Sequence, residues 1–362
     1  VSQVSSPRFT RALVLGAGGQ VGISYHLGVL SAIEAVTGAN INDVPLIVGT
    51  SAGSVIGAYI RHLGSAADAW DHFERGLASA ADSTVADDLN LGSTEPYADN
   101  TQENTGAVAS RVDQLRRIAS AGVGMAGVFA KTWTRMPIPD AIESFLGEFP
   151  NAMLDFTEIA KGFYRELPQA WPDRALWITA FDLGQRRRVV FGSQADDLRP
   201  DLREALVASC AVPGVWEPRV VDGVAYVDGG VRGPANANVL IDERYGEELN
   251  VERAIIVAPM AFDSWKPREV RHAGWPDAAY GLAFRGIRAA ANMSLDRDVR
   301  ALKSNNIAMA LFRPEAGSLP LHGRANIDER LVASVADDAF DRTVKALANQ
   351  ALRESVELCL GQ

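Results

Sequence analysis

At 362 residues the chain can bury a large core, and with 47% hydrophobic and 22% charged residues its composition is that of a globular protein rather than a disordered one. Its 45 acidic against 35 basic side chains give a formal net charge of −10, which argues against nucleic acid as a partner and against binding anionic membranes by global charge. Two cysteines, Cys210 and Cys359, cannot build a disulfide framework, and without H-E-x-x-H or C-x-x-C no metal site is expected.

Residues 1–10 are polar and lead directly into a strand, so no signal peptide is read, although a start at Val rather than Met suggests that an upstream segment was removed. The longest apolar stretch falls well short of the about 18–20 residues of a membrane-spanning helix. The expected location is cytoplasmic, with peripheral contact to membranes.

Ala12-Leu13-Val14-Leu15 reads as a buried strand. It runs into Gly16-Ala17-Gly18-Gly19-Gln20-Val21-Gly22 and then a helix pattern from Ile23 to Ala35. A glycine-rich loop between strand and helix exposes backbone N–H groups that can hold an anion. Two uses compete: a dinucleotide pyrophosphate, or an oxyanion formed during catalysis. For the first, Glu34 lies within a dozen residues. Against it, strict G-x-G-x-x-G fails because Val21 takes the sixth position, and the chain has no Tyr-x-x-x-Lys pair. His26 lies a turn beyond the loop and could reach a cleft there.

Pro45-Leu46-Ile47-Val48 is a second apolar run, followed by Gly49-Thr50-Ser51-Ala52-Gly53 and a helix pattern, Ser54 to Arg61. Strand, sharp turn and helix with a serine at the apex is the nucleophile-elbow arrangement G-x-S-x-G, which occurs once in the chain. A strained turn lifts the serine out of the sheet, and side chains on the flanking glycines would collide across it. The helix that follows aims free N–H groups and a partial positive charge at a developing oxyanion.

Trp70 to Ala78 continues as helix. Residues 81–138 form an insertion: a polar, acidic loop to Gly106, a helix from Val108 to Ala121, then an apolar, glycine-rich stretch. It could serve as a lid, with Met125, Val128, Phe129 and Trp133 as candidates to line an acyl groove; an ordinary core hairpin is the competing reading. Leu176–Phe181 and Val189–Phe191 read as strands joined by a basic turn, Arg186-Arg187-Arg188, expected to be a solvated hairpin end. Pro200 to Cys210 is helical. In Arg219 to Gly230, Asp222-Gly223 between β-branched runs predicts a two-residue hairpin turn, and Asp228 ends the returning strand beside Gly229 and Gly230. A carboxylate there can be catalytic or can merely cap the next turn. Late strands are expected at Ala254–Ala258 and Ile307–Phe312, with a helix from Ala278 to Leu302 between them. Residues 325–362 hold the C-terminal helices, with Asp337 to Leu360 reading as one long amphipathic helix. Because the proposed catalytic pieces span residues 12 to 228, a single α/β domain with an insertion fits better than two independent units.

Together these pieces resemble the patatin-like phospholipase family. Gly18-Gly19-Gln20-Val21-Gly22 is similar to its oxyanion motif, Gly49 to Gly53 to its elbow, and Asp228-Gly229-Gly230 to its D-G-[GA] aspartate. Ala208-Ser209-Cys210-Ala211-Val212-Pro213 is similar to its A-S-x-A-x-P stretch. The resemblance implies a three-layer α/β/α fold with a mostly parallel sheet and a serine acyl hydrolase acting on a lipid or other acyl ester. It implies a Ser-Asp dyad without histidine and without cofactor: Ser51 as nucleophile, Asp228 as base, and the N–H groups of Gly18, Gly19 and Ala52 as oxyanion hole. Ala17 stands where the family usually has glycine, and Val21 where it usually has Arg or Lys, so Val21→Lys is a natural gain-of-function test toward anionic lipids. The competing functions are a lipid-binding protein of this fold with little catalysis, and an NAD(P)-dependent dehydrogenase.

Overall fold

The computed structural model describes residues 9–82, 167–213, 216–263, 275–318, 322 and 332–362. Met125, Val128, Phe129 and Trp133, with the inserted segment from residue 83 onward, lie outside the described residues.

Among the described residues eight strands form one sheet: β1 (Phe9–Leu15), β2 (Leu46–Thr50), β3 (Ala175–Asp182), β4 (Arg187–Phe191), β5 (Arg219–Val221), β6 (Val224–Asp228), β7 (Leu249–Val257) and β8 (Ala308–Phe312). Its order is β5-β6-β3-β2-β1-β7-β8, with β4 also paired to β3. The run β3-β2-β1-β7-β8 is parallel, while β4, β5 and β6 join by antiparallel pairing. Parallel strands need both faces covered, and β1 shows it. Leu13 and Leu15 pack into one core, Ala12 and Val14 into the other, and all four are fully buried.

The first face carries α1 (Gly19–Thr37), α2 (Ala52–Leu63), α3 (Ala66–Asp82), α4 (Leu202–Cys210), α6 (Val332–Ala346) and α7 (Gln350–Leu360). The second is covered by α5 (Trp275–Ser304) and by 3₁₀ turns at Ala237–Ile241 and Glu243–Tyr245. The result is a three-layer α/β/α sandwich with a mostly parallel centre.

Several local expectations are corrected. The chain beyond the elbow stays helical to Asp82, so Ala81 and Asp82 belong to α3 and not to a loop. The C-terminal helix is two helices, because Asn349 turns its side chain onto the Leu352 N–H (3.1 Å) and starts a new one. The basic stretch is a solvated hairpin end only at Arg186, which is exposed with Gly184 and Gln185 in the turn. Arg187 and Arg188 belong to β4: Arg187 pairs with Asp196 at 2.6 Å, and buried Arg188 donates to Asn238 and Asp242 at 2.6 and 2.8 Å. Glu34 binds no ribose-like site: its carboxylate accepts from the N–H groups of Ala66 and Ala67 at the start of α3 and from that of Ile41. The Asp222-Gly223 hairpin turn is as expected, with positive φ at both residues (49° and 80°) joining β5 to β6.

Helix α2 is fastened at its far end. Arg61, near its C-terminus, donates to the carbonyls of Asn42 (2.6 Å), Val44 (2.8 Å) and Ala175 (2.9 Å), just ahead of β2 and at the start of β3.

Candidate active site

The sheet registers bring the two ends of the site together. Strand β2 ends with Thr50 opposite Thr179, and β6 ends with Asp228 opposite Ala180, the next residue of β3. Ser51 and Asp228 therefore leave their strands side by side from opposite directions. Strands β1 and β2 run in register, Leu15 opposite Gly49, so the glycine-rich loop emerges next to the elbow.

Ser51 has φ 52° and ψ −122°, a left-handed conformation that for a non-glycine residue costs of order 1–3 kcal/mol and persists only where its surroundings enforce it. The surroundings here are tight. A Cβ on Gly53 would strike the Leu15 carbonyl, and one on Gly49 would strike the Ser54 backbone. The Ser51 N–H donates to Ser209 Oγ (2.9 Å), and its carbonyl accepts from the Ser54 N–H (2.8 Å) and hydroxyl (2.6 Å).

Asp228 is 3% exposed. Its backbone N–H donates to the Ala211 carbonyl (2.9 Å), and its Oδ1 accepts from the Gly230 N–H (2.6 Å) within the 3₁₀ turn Gly229–Val231. Burial raises the carboxyl pKa to about 6, against the lowering effects of the neighbouring Ser51 side chain and of the Gly230 N–H. Asp228 thus does cap its turn, with the Ser51 side chain beside its carboxylate.

Gly19 and Ala52 open α1 and α2, so their N–H groups have no acceptor within the helix; Gly18 is the N-cap of α1. Gly22 lies against Ala52, since a Cβ at Gly22 would sit 3.6 Å from that of Ala52. Gly16 and Ala17 are fixed by N–H bonds to the carbonyls of Val257 (2.9 Å) and Pro234 (2.7 Å). His26 does not turn to the serine. Its Nε2–H donates to the Gly16 carbonyl (2.8 Å), and burial lowers its pKa to about 4, so at neutral pH it is an uncharged brace under the loop.

The sequence 13–241 matches the family model described as patatin-like phospholipase. The chain belongs to the patatin-like phospholipase family. At the level of the family that makes it a hydrolase of lipids. No curated protein matches. Among solved structures it is similar to the heterodimeric complex ExoU–SpcU from the type III secretion system of Pseudomonas aeruginosa, at 16% identity and a TM-score of 0.27, over 98% of this chain and 69% of that one.

Among the described residues no helix is long and apolar enough to cross a membrane.

One family departure has a structural reading. Val21 has no exposed surface and belongs to the same core cluster as Leu15 and Ile23, so it does not face a headgroup. A cation there would be buried without a partner. Val21→Lys is therefore expected to lower the melting temperature sharply, by the several kcal/mol a buried unpaired charge costs, and not to add activity on anionic lipids. Thermal unfolding beside vesicle hydrolysis checks it; a stable, more active variant would overturn this.

Sequence reasoning assigned no part to Thr50, Thr179, Ser209 and Asn236. Ser209 lay within a recognised stretch, but its task became visible only in three dimensions: it accepts from Ser51 and donates to the Thr179 carbonyl (2.8 Å). The Ala208–Pro213 segment thus braces both site residues, Ser51 through Ser209 and Asp228 through the Ala211 carbonyl.

Proposed function

We propose that the protein is a carboxylic ester hydrolase acting on lipid acyl esters, with Ser51 as nucleophile and Asp228 as its base. The observation that carries this is the placement of a strained, elbow-mounted serine and a buried carboxylate at neighbouring strand ends, with burial raising the carboxyl pKa to about 6.

The chemistry follows from the geometry. An exposed aspartate, with a pKa of about 3.9, is a weak base at neutral pH; burial strengthens it while leaving it ionised at pH 7. Ser51 Oγ attacks the ester carbonyl as its proton passes to Asp228. The carbonyl π electrons move to oxygen, and the N–H groups of Gly18, Gly19 and Ala52, at the positive ends of α1 and α2, hold the resulting oxyanion. Collapse returns the proton to the leaving alcohol and leaves an acyl-serine. Water, deprotonated by Asp228, then releases the fatty acid and restores the serine.

The first test is a fluorophosphonate probe, which reacts with activated serines. Wild type is expected to label and Ser51→Ala to remain unlabelled; an unlabelled wild type would favour a protein of this fold that binds acyl chains without cleaving them. The second is pH. The base works ionised, so kcat/KM on a neutral ester should be low below pH 5, rise through a midpoint near 6 and level off above 7. A rate that is flat from pH 5 to 8 would mean that Asp228 is not the titrating base.

A further inference from the structure

We infer that Asn236 is a positioning residue whose carboxamide locks the turn carrying Ser51 to the turn carrying Asp228. This rests on the hydrolase reading above and adds to it the device that fixes the distance between nucleophile and base.

Asn236 is almost completely buried, at 1% exposed. Its Nδ2 donates to the Gly229 carbonyl at 3.0 Å and to Thr50 Oγ1 at 3.2 Å, with Thr179 Oγ1 at 3.4 Å. Thr50 directly precedes Ser51, and Gly229 directly follows Asp228. The Thr50 and Thr179 hydroxyls are bonded to each other at 2.8 Å. On its other side Asn236 Oδ1 accepts from Arg188 Nη1 at 3.2 Å, and Arg188 is held in turn by Asn238 and Asp242. The amide can face only one way, because a guanidinium only donates and a carbonyl only accepts.

The two halves of the site come from chain segments with no covalent reason to keep a fixed spacing. Thr50 and Asn236 are 186 residues apart, and Thr50 and Thr179 are 129 apart. Asn236 contacts neither reacting atom. It acts through the residue next to each, by way of the Thr50 hydroxyl and the Gly229 carbonyl. Its backbone is also specialised: φ is 50° and ψ 26°, the left-handed region in which asparagine is favoured among residues with a side chain.

That backbone selects the test. Asn236→Gly removes the carboxamide without adding strain, and Asn236→Asp keeps size and backbone tolerance but sets a carboxylate oxygen against the Gly229 carbonyl. Both are compared with Ile255→Val, a core change in β7 that lowers stability without touching the network. With a short soluble ester, both Asn236 variants are expected to lose roughly 10- to 100-fold in kcat with KM unchanged, the scale of a small misplacement of reacting groups. Fluorophosphonate labelling should slow by a similar factor yet reach full stoichiometry, while Ile255→Val labels at the wild-type rate. Partial unfolding would instead reduce the labelled fraction and leave the rate of the rest unchanged. Reduced stoichiometry at normal rate, or an Asn236→Gly variant that labels as fast as wild type, overturns the inference while the hydrolase reading stands. A wild type that takes no label overturns both.

Discussion

Replacing Ser51 with alanine, or Asp228 with asparagine, is expected to lower esterase turnover by roughly 10⁴- to 10⁶-fold, the scale at which residues of a catalytic unit are lost. The double variant is expected to be hardly worse than either single one, because the proposed nucleophile and base act as one unit. Neither change should unfold the protein, and Asp228→Asn should be the more stable at high pH. The folded-state pKa, about 6, lies above the ordinary 3.8, so the fold holds the carboxyl proton more tightly than the unfolded chain does. The stability gained from protonation is complete below pH 3.8 and is lost as pH rises through 6. At pH 8 wild type therefore carries a buried charge that asparagine removes. Steady-state kinetics beside thermal unfolding at pH 8 check both points. Retained activity in Asp228→Asn, with inactivation by Asp222→Asn, would transfer the base to the hairpin turn.

Substituting Gly19 with valine is expected to cost roughly 10²- to 10³-fold in kcat with a smaller effect on KM, the cost of displacing one of the proposed oxyanion donors. Gly19 has φ 61°, which a β-branched residue adopts only under strain, so the first N–H of α1 must turn away. Gly18→Ala should act alike by crowding, since its Cβ would lie 2.7 Å from Gly22 Cα and 2.9 Å from Pro259 Cβ. Equal losses in binding and turnover would mean that the loop holds a ground-state ligand.

The parts of this molecule legible in the sequence are those written locally. The elbow is five consecutive residues between a strand and a helix, and Asp222-Gly223 needs nothing beyond its own backbone preferences. The unbroken apolar runs Ala12–Leu15 and Ala254–Ala258 mark buried strands, as a sheet covered on both faces requires. What sequence could not convey is direction and long-range pairing. A motif position gives a residue type, not the way it points, and Val21 through Ile33 are buried all round, so α1 has no polar face from which Val21's orientation could be read. Ser209 meets Ser51 across 158 residues, and no periodicity marks such a partner. The amphipathic pattern runs through Leu347–Asn349 without interruption, and only one capping side chain reveals the break.

Helix α2 can be viewed as a short strut under load. At 12 residues and about 1.5 Å each it spans roughly 18 Å. One end carries the wound-up Ser51, and the other is riveted by Arg61 to the roots of the strands that flank it. The helix that leaves the elbow therefore has its course fixed at both ends: by the tight turn at Ser51, and by the Arg61 bonds to the segments that lead into β2 and β3.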